Sequence, residues 1–353
     1  MAEIQGLGVT HYPGIYMRDA DMSIPLRETL RSGRVPVGLR DPTTWPAAMQ
    51  AEWADDQGAK AAAKHRERLV HAFRQIRREL DAFNPDFVLI WGDDQYENFK
   101  EEIVPPFCIF ILDEVVSTPL TRKYGVGQSG NIWGEDPHKA FTHKGHPSGA
   151  KYLTRRLIQE GFDLPYAYQI RYPLGLAHSF INTLLFLDFD RQGFPYPVIP
   201  FHVNCYGSSV IQTQGIGAMA GQEGYEPDPP APSPERCFEV GRAVARMLRA
   251  SPWRVSLIGS SSWSHAFLIE KNGWLHPDID ADRLLLEQLK TGGYADWKNL
   301  DPSQMEASGQ HEVLNWVCLA GAMAELGRPM PRVVDYVESW IFNSNKCFAI
   351  FAP

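Results

Sequence analysis

The sequence predicts an α/β fold, with a central mostly parallel or mixed sheet flanked by helices and an active site at the C-terminal ends of its strands. Two observations carry this. Over residues 59–83, Leu69, Phe73, Ile76 and Leu80 recur at spacings of three and four with Arg and Glu between them, a helical period. Asn84-Pro85 stops that helix, and Phe87-Val88-Leu89-Ile90-Trp91 follows as a continuous apolar strand. A helix feeding a strand with no polar face suggests a sheet covered on both sides.

The other elements follow the same logic. The opening GLGVTHYPG reads as a buried strand ending at His11, and residues 14–56 as a long irregular loop with one short helix. Strands are expected at 107–112, 166–171, 198–203 and 255–259, and helices at 150–160, 236–248, 282–289 and 312–326. Residues 114–148 read as loop, with His138, His143 and His146 solvated, and 207–233 as a surface excursion rich in Gly, Gln and Pro. No repeat or linker interrupts the chain. One domain over 1–353 is the simplest reading, with room for a small C-terminal lobe.

Composition narrows the function. The chain has 353 residues, is 44% hydrophobic and 22% charged, and carries a formal charge of −8. An acidic chain without a basic stripe argues against nucleic acid as a partner. The longest apolar run, 181–187, is too short to span a membrane, which needs about 20 residues. Five dispersed cysteines without a CxxC pair fit reduced thiols in a soluble, cytoplasmic protein.

In open α/β sheets, ligands gather beyond the carboxyl ends of the strands. The polar residues that immediately follow expected strands are His11, Asp93-Asp94-Gln95, His202 with Asn204, and Ser264-His265. Glu312 opens an apolar helix, where a carboxylate needs a partner, a capping role or a metal. Asp93 and Asp94 are expected to organise a turn and orient neighbours. His65 and His71 are expected on the surface of the long helix.

The blocks GVTHYPG, DDQYENFKEEIVPPFCIF, LAHSF, VIPFHVN, SWSHAFL and GQHEVLNWVCLAGAM occur in this order between His11 and Met323. Together they resemble the class III extradiol ring-cleavage dioxygenases, of the protocatechuate 4,5-dioxygenase beta-subunit and methylgallate dioxygenase type. The resemblance implies a non-haem Fe(II) site, with Zn or Mn as alternatives, opening a small aromatic substrate with O2. It implies His11 and Glu312 as metal ligands, His265 as acid and base, and His178 in the substrate pocket. Tyr12, Asn204 and Trp263 are expected to touch substrate. A homo-oligomer is expected by analogy with related folds.

The sequence departs from the family at its second histidine ligand, whose position falls on Gln95. Three outcomes stay open. Gln95 binds through its carbonyl oxygen, His202 supplies the imidazole, or the site has lost iron and works as a metal-dependent hydrolase or C–C lyase. Arg171 and Lys123 are basic candidates for holding a substrate carboxylate.

Overall fold

The computed structural model describes residues 2–121, 130–208, 211–214 and 226–353. In chain order the elements are β1 (Ile4–Val9), α1 (Ile24–Arg31), α2 (Ala47–Trp53), α3 (Ala59–Phe83), β2 (Phe87–Gly92), β3 (Phe107–Phe110), β4 (Glu114–Ser117), β5 (Phe141–Lys144), α4 (Pro147–Gln159), β6 (Tyr166–Ala167), α5 (His178–Leu187), β7 (Val198–Val203), α6 (Pro234–Arg249), β8 (Val255–Ser260), α7 (Ile279–Thr291), α8 (Pro302–Ala307), α9 (Val313–Glu325), β9 (Arg332–Val337) and β10 (Lys346–Phe351).

Among the described residues, eight strands form one mixed sheet in the order β6-β3-β7-β2-β8-β1-β10-β9. Its centre is parallel: β2 pairs with β7 and β8, and β8 pairs with β1. Antiparallel pairings of β3 with β7 and of β10 with β1 and β9 flank this centre. The α/β expectation holds, and the flanks make the sheet mixed. The parallel register brings the ends of β1, β2, β7 and β8 to one edge.

Both faces of the sheet are covered. On β2, Phe87, Leu89 and Trp91 face one core with α4, α6 and α9. Val88 and Ile90 face the other, with α3 and α5. That two-sided burial explains why β2 reads as a continuous apolar run rather than an alternating one. The left-handed Asn84 (φ 47°) ends α3 and turns the chain into β2.

Several expectations are corrected. The 14–56 segment holds α1 and α2 rather than one short helix. Residues 114–117 and 141–144 form a β4–β5 hairpin instead of loop. His143 is buried. The His146 ring caps α4 by accepting from Gly149 N and stacks on Phe87, while His138 is exposed. His65 is also buried, against Phe342 and edge-on to Tyr12. The chain's last two strands, β9 and β10, extend the sheet, so this stretch is not a separate C-terminal lobe. Of the 207–233 excursion, 209–210 and 215–225 lie outside the described residues, as does Lys123.

Helix α9 directly follows Glu312. It lies close on β1: a Cβ built at Gly8 would sit 2.2 Å from the Trp316 ring. It lies equally close on α6, where a Cβ at Gly241 would meet Cys318 O at 1.9 Å and one at Gly321 would meet Phe238 O at 2.1 Å. Glycine at these positions sets the depth of the helix, and so the position of Glu312 above the sheet edge. Gly8→Ala should therefore destabilise the fold by about 1–3 kcal/mol through overpacking. Gly38→Ala, where nothing lies within 4 Å of the added carbon, should stay within about 0.5 kcal/mol of the parent. Denaturant titration of both variants checks the pair.

Candidate metal centre

The four parallel strand ends converge as the topology requires. His11 follows β1, Asp93 follows β2, and Ser260 to Ser262 end β8 and begin the turn leading to His265. Two helices complete the ring. Both α5 (HSFINTLLFL) and α9 (VLNWVCLAGAM) are apolar around most of their circumference and buried. Each points its N-terminal end at this edge, α5 carrying His178 and α9 preceded by Glu312.

His11, Asp93, His178 and Glu312 each offer a ligand atom, and these atoms all lie within 4.8 Å of one another. His11 Nε2 is 3.1 Å from Glu312 Oε2 and 3.8 Å from Asp93 Oδ1. The His11 and His178 rings meet edge-on, with centroids 4.9 Å apart.

Each imidazole is held at its other nitrogen. His11 Nδ1 is 3.0 Å from Ser260 Oγ, itself 2.6 Å from the Thr183 hydroxyl. His178 Nδ1 is 2.9 Å from Glu97 Oε2, and the His178 backbone N–H donates to both oxygens of Glu97. A carboxylate or hydroxyl that accepts the Nδ1 proton leaves Nε2 basic and fixes the ring, the usual support of a metal-binding histidine.

Glu312 is almost completely buried. It accepts from Tyr206 Oη at 2.6 Å, Gln95 Nε2 at 3.2 Å and the Ser262 backbone N–H at 3.2 Å. His265 Nε2 lies 3.3 Å away, and His265 Nδ1 has no hydrogen-bond partner among the described residues. Burial alone would raise the Glu312 pKa, yet the His265 and His11 imidazoles hold it well below the carboxylate range. Asp93 goes the other way: burial, then the neighbouring Glu312 charge, pushes its pKa up. Its Oδ1 accepts from Asn315, while its Oδ2 is buried with no partner among the described residues. Two carboxylates and two imidazoles around an unsatisfied oxygen fit a divalent cation, which would relieve the repulsion and occupy that oxygen.

The remaining candidates are distributed differently. Gln95 is at the site, but its amide nitrogen donates to Glu312 and to Tyr206 Oη, 2.8 Å away. His202 is held by the Pro105 carbonyl at 3.3 Å and packs on Phe99, apart from the ligand group. Burial pushes its pKa down to about 3. Tyr12 lines the small cavity over the site together with His265 and Asn343. Asn204 caps its own turn by accepting from Tyr206 N, and Trp263 packs in the core against Trp316 and Trp297. Neither lines a cavity at the site. Arg171 is exposed, 3.7 Å from Glu102.

Sequence reasoning gave Asp93 only an orienting role and missed Glu97, Ser260, Tyr206 and Asp282. A signal for His178 was present: like Glu312, it stands at the start of a helix apolar all round. Asp282 is fully buried and accepts from the Ser264 backbone N–H, from Gln310 Nε2 at 2.7 Å and from Asn345 Nδ2 at 2.8 Å. It thereby joins the turn before His265, the turn before Glu312 and the return into β10.

A buried cluster of imidazoles and carboxylates at the carboxyl edge of a mixed α/β sheet is a group that could hold a metal ion. Residues 228–347 match the family described as the catalytic LigB subunit of aromatic ring-opening dioxygenase. The matched segment holds His265 and Glu312, while His11, Asp93 and His178 precede it. The chain is 26% identical over 243 residues to a 2,3-dihydroxyphenylpropionate/2,3-dihydroxicinnamic acid 1,2-dioxygenase of Pseudomonas putida, covering 68% of this chain and 60% of the relative. It is 24% identical over 223 residues to the enzyme of that name in Photorhabdus laumondii (63% and 55%). It is 25% identical over 297 residues to the one in Paraburkholderia phymatum (76% and 85%). The chain thus spans less than two thirds of the first two relatives. Residues 228–347 resemble the catalytic subunit of the class III extradiol dioxygenases, and the chain is similar to ring-cleaving dioxygenases over most of its length.

Asp282 offers a test of the scaffold. Burial pushes its carboxyl up to about 7, against the hydrogen bonds it accepts. The folded chain then holds a proton here that the unfolded chain has lost above about pH 4. The contribution of this group to stability should fall as pH rises from about 4 to about 7 and level off above. Asp282→Asn should remove that slope in melting temperature against pH. Asp282→Ala, which strands several buried donors, should cost about 3 kcal/mol or more at any pH.

Proposed function

We propose that this chain is an extradiol-type ring-cleaving dioxygenase, using Fe(II) to open an aromatic ring next to a pair of hydroxyl groups or a hydroxyl and an amino group. The observation that carries the proposal is the grouping of His11, His178 and Glu312 within 4.8 Å, in a chain whose relatives are named for oxygenating 2,3-dihydroxyaryl acids. Two imidazoles and one carboxylate make up the ligand set typical of ferrous oxygenases with open positions. His178 then supplies the second imidazole that Gln95 cannot, and Asp93 stands as the adjacent fourth group. When bound, the ion supplies a Lewis-acidic centre for the substrate oxygens and for O2.

The chain's own residues supply the rest. Ser260 and Glu97 fix the two imidazoles, and Tyr206 and the Ser262 N–H fix the carboxylate. His265, with an unpartnered Nδ1 and a pKa lowered chiefly by burial, accepts a proton from a substrate hydroxyl and returns it to the opened product. Pro13 and Phe267, which line both cavities at the site, keep water from the reacting ring. Residues 1–353 act as one catalytic domain. Buried free cysteines support a cytoplasmic setting.

The test is anaerobic iron loading followed by O2 uptake with catechols and aminophenols. One O2 consumed per ring opened, with both atoms of labelled O2 in the product, is expected. Substrate turnover without O2 uptake would replace the proposal with a hydrolase or lyase. His265→Ala should keep stoichiometric iron and lose turnover by about a hundredfold or more. His178→Ala should lose stoichiometric iron while Gln95→Ala keeps it, as read by metal analysis. The reverse pattern would restore Gln95 as the ligand.

A further inference from the structure

The small cavity over the metal group, about 90 Å³, and the larger one beside it, about 1000 Å³, share Pro13, Gln95, His178, Phe267 and Asn343 as lining residues. Gln95 donates to Glu312, His178 belongs to the metal group, and Pro13 and Phe267 are apolar. Asn343 is the remaining polar side chain at this junction.

Its backbone is unusual. Asn343 has φ 63°, a left-handed conformation that glycine adopts at less cost. The turn around it is fastened from several elements. Lys346, completely buried, donates to Phe342 O at 2.9 Å and to Ser344 O at 2.5 Å, the carbonyls of the two residues flanking Asn343. Ser344 pairs with His265 in an antiparallel bridge, and the Ala266 N–H donates to Asn343 O at 2.6 Å. A non-glycine residue held in a sparsely populated conformation by its surroundings marks a place where the direction of the side chain matters.

The amide itself is oriented. The Phe267 backbone N–H, which can only donate, lies 3.4 Å from Asn343 Oδ1. That contact assigns the oxygen and leaves the Nδ2 hydrogens as the other end of the amide. Among the described residues none accepts from Nδ2. The side chain thus offers N–H donors where the two cavities meet, one residue before the partner of His265. A fixed donor of this kind is worth most on an oxygen that carries charge.

We propose that the Asn343 side-chain amide donates a hydrogen bond to an oxygen of the bound substrate's diol, beside His265. The proposal rests on the proposed function for the reacting ring, and Lys346 acts only as the positioning residue of the turn.

The test is anaerobic titration of the Fe(II)-loaded full chain with 4-nitrocatechol, which reads affinity without turnover. Asn343→Gly keeps the left-handed turn and removes the amide. Asn343→Asp keeps an acceptor for the Phe267 N–H and replaces the donor with a second acceptor. Both should melt and load iron as the parent does. Asn343→Gly should bind the ligand about ten- to a hundredfold more weakly, the range for a hydrogen bond to a charged group, and Asn343→Asp at least as weakly. A residue serving the turn alone would leave the affinity of Asn343→Gly unchanged, and parent-like affinity in either variant would overturn the proposal. Should a variant fail to fold, the structure of the parent complex decides. A ligand oxygen about 3 Å from Nδ2 upholds the donor, and one beyond about 4 Å overturns it. O2 uptake by the parent with unchanged affinity in both variants would remove the donor and keep the proposed function. Affinity lost in both, without O2 uptake by the parent on any catechol, would do the opposite.

Discussion

The architecture turns on one buried carboxylate. Glu312 stands at the head of an apolar helix, where an uncompensated charge would cost several kcal/mol. Compensation arrives from separate parts of the chain: His11 after β1, Gln95 after β2, Tyr206 after β7, and Ser262 and His265 after β8. No two of these elements need be adjacent in sequence for their ends to meet, because the parallel pairing of the four strands already aligns them. The glycines beneath α9 then matter as much as the polar groups above it. They set how deeply the helix lies, and so whether the carboxylate falls within reach of its donors.

Asp282 does for the surrounding turns what Glu312 does for the site. It collects a backbone N–H from the turn before His265, a side-chain amide from the turn before Glu312, and another from the entry to β10. Lys346, also fully buried, donates to Phe342 O and Ser344 O from the first residue of β10 and lies 3.8 Å from the Tyr12 ring centre. These groups explain why the last two strands belong to the functional core. They position His265 and Asn343 from behind, outside the range of any motif.

What was legible in the sequence followed from periodicity and punctuation. Helix α3 and strands β2 and β7 were marked by apolar spacing and by Asn84-Pro85 or turn residues. His11 and Glu312 stood out because polar groups at strand and helix ends have few bland explanations. The rest depended on pairing that no local pattern encodes. Strand β9 is half-exposed and mixed in polarity, and β4 with β5 pairs across a long connection. His202 looked equivalent to the other strand-end histidines. Strand pleating turned it instead toward Phe99 and a backbone carbonyl. Trp263 followed the same strand as His265, yet its ring went into the core between the sheet and α9.

The departure at Gln95 shows why ligand positions should be weighed as a set. Taken alone, an amide in place of an imidazole weakens a ferrous site. In the folded chain the amide nitrogen donates to Glu312, work that leaves the carboxylate ionised and oriented. On the proposed reading, the second imidazole comes from His178, whose ring is already aligned by Glu97 and already meets His11 edge-on. Asp93 adds a carboxylate with a buried oxygen that has no partner among the described residues. A site that keeps two imidazoles and has a second carboxylate beside them would hold a divalent cation more strongly by charge. The departure at Gln95 would thus move the second imidazole to another element rather than abolish the centre, and the buried histidines and carboxylates are what such a centre requires.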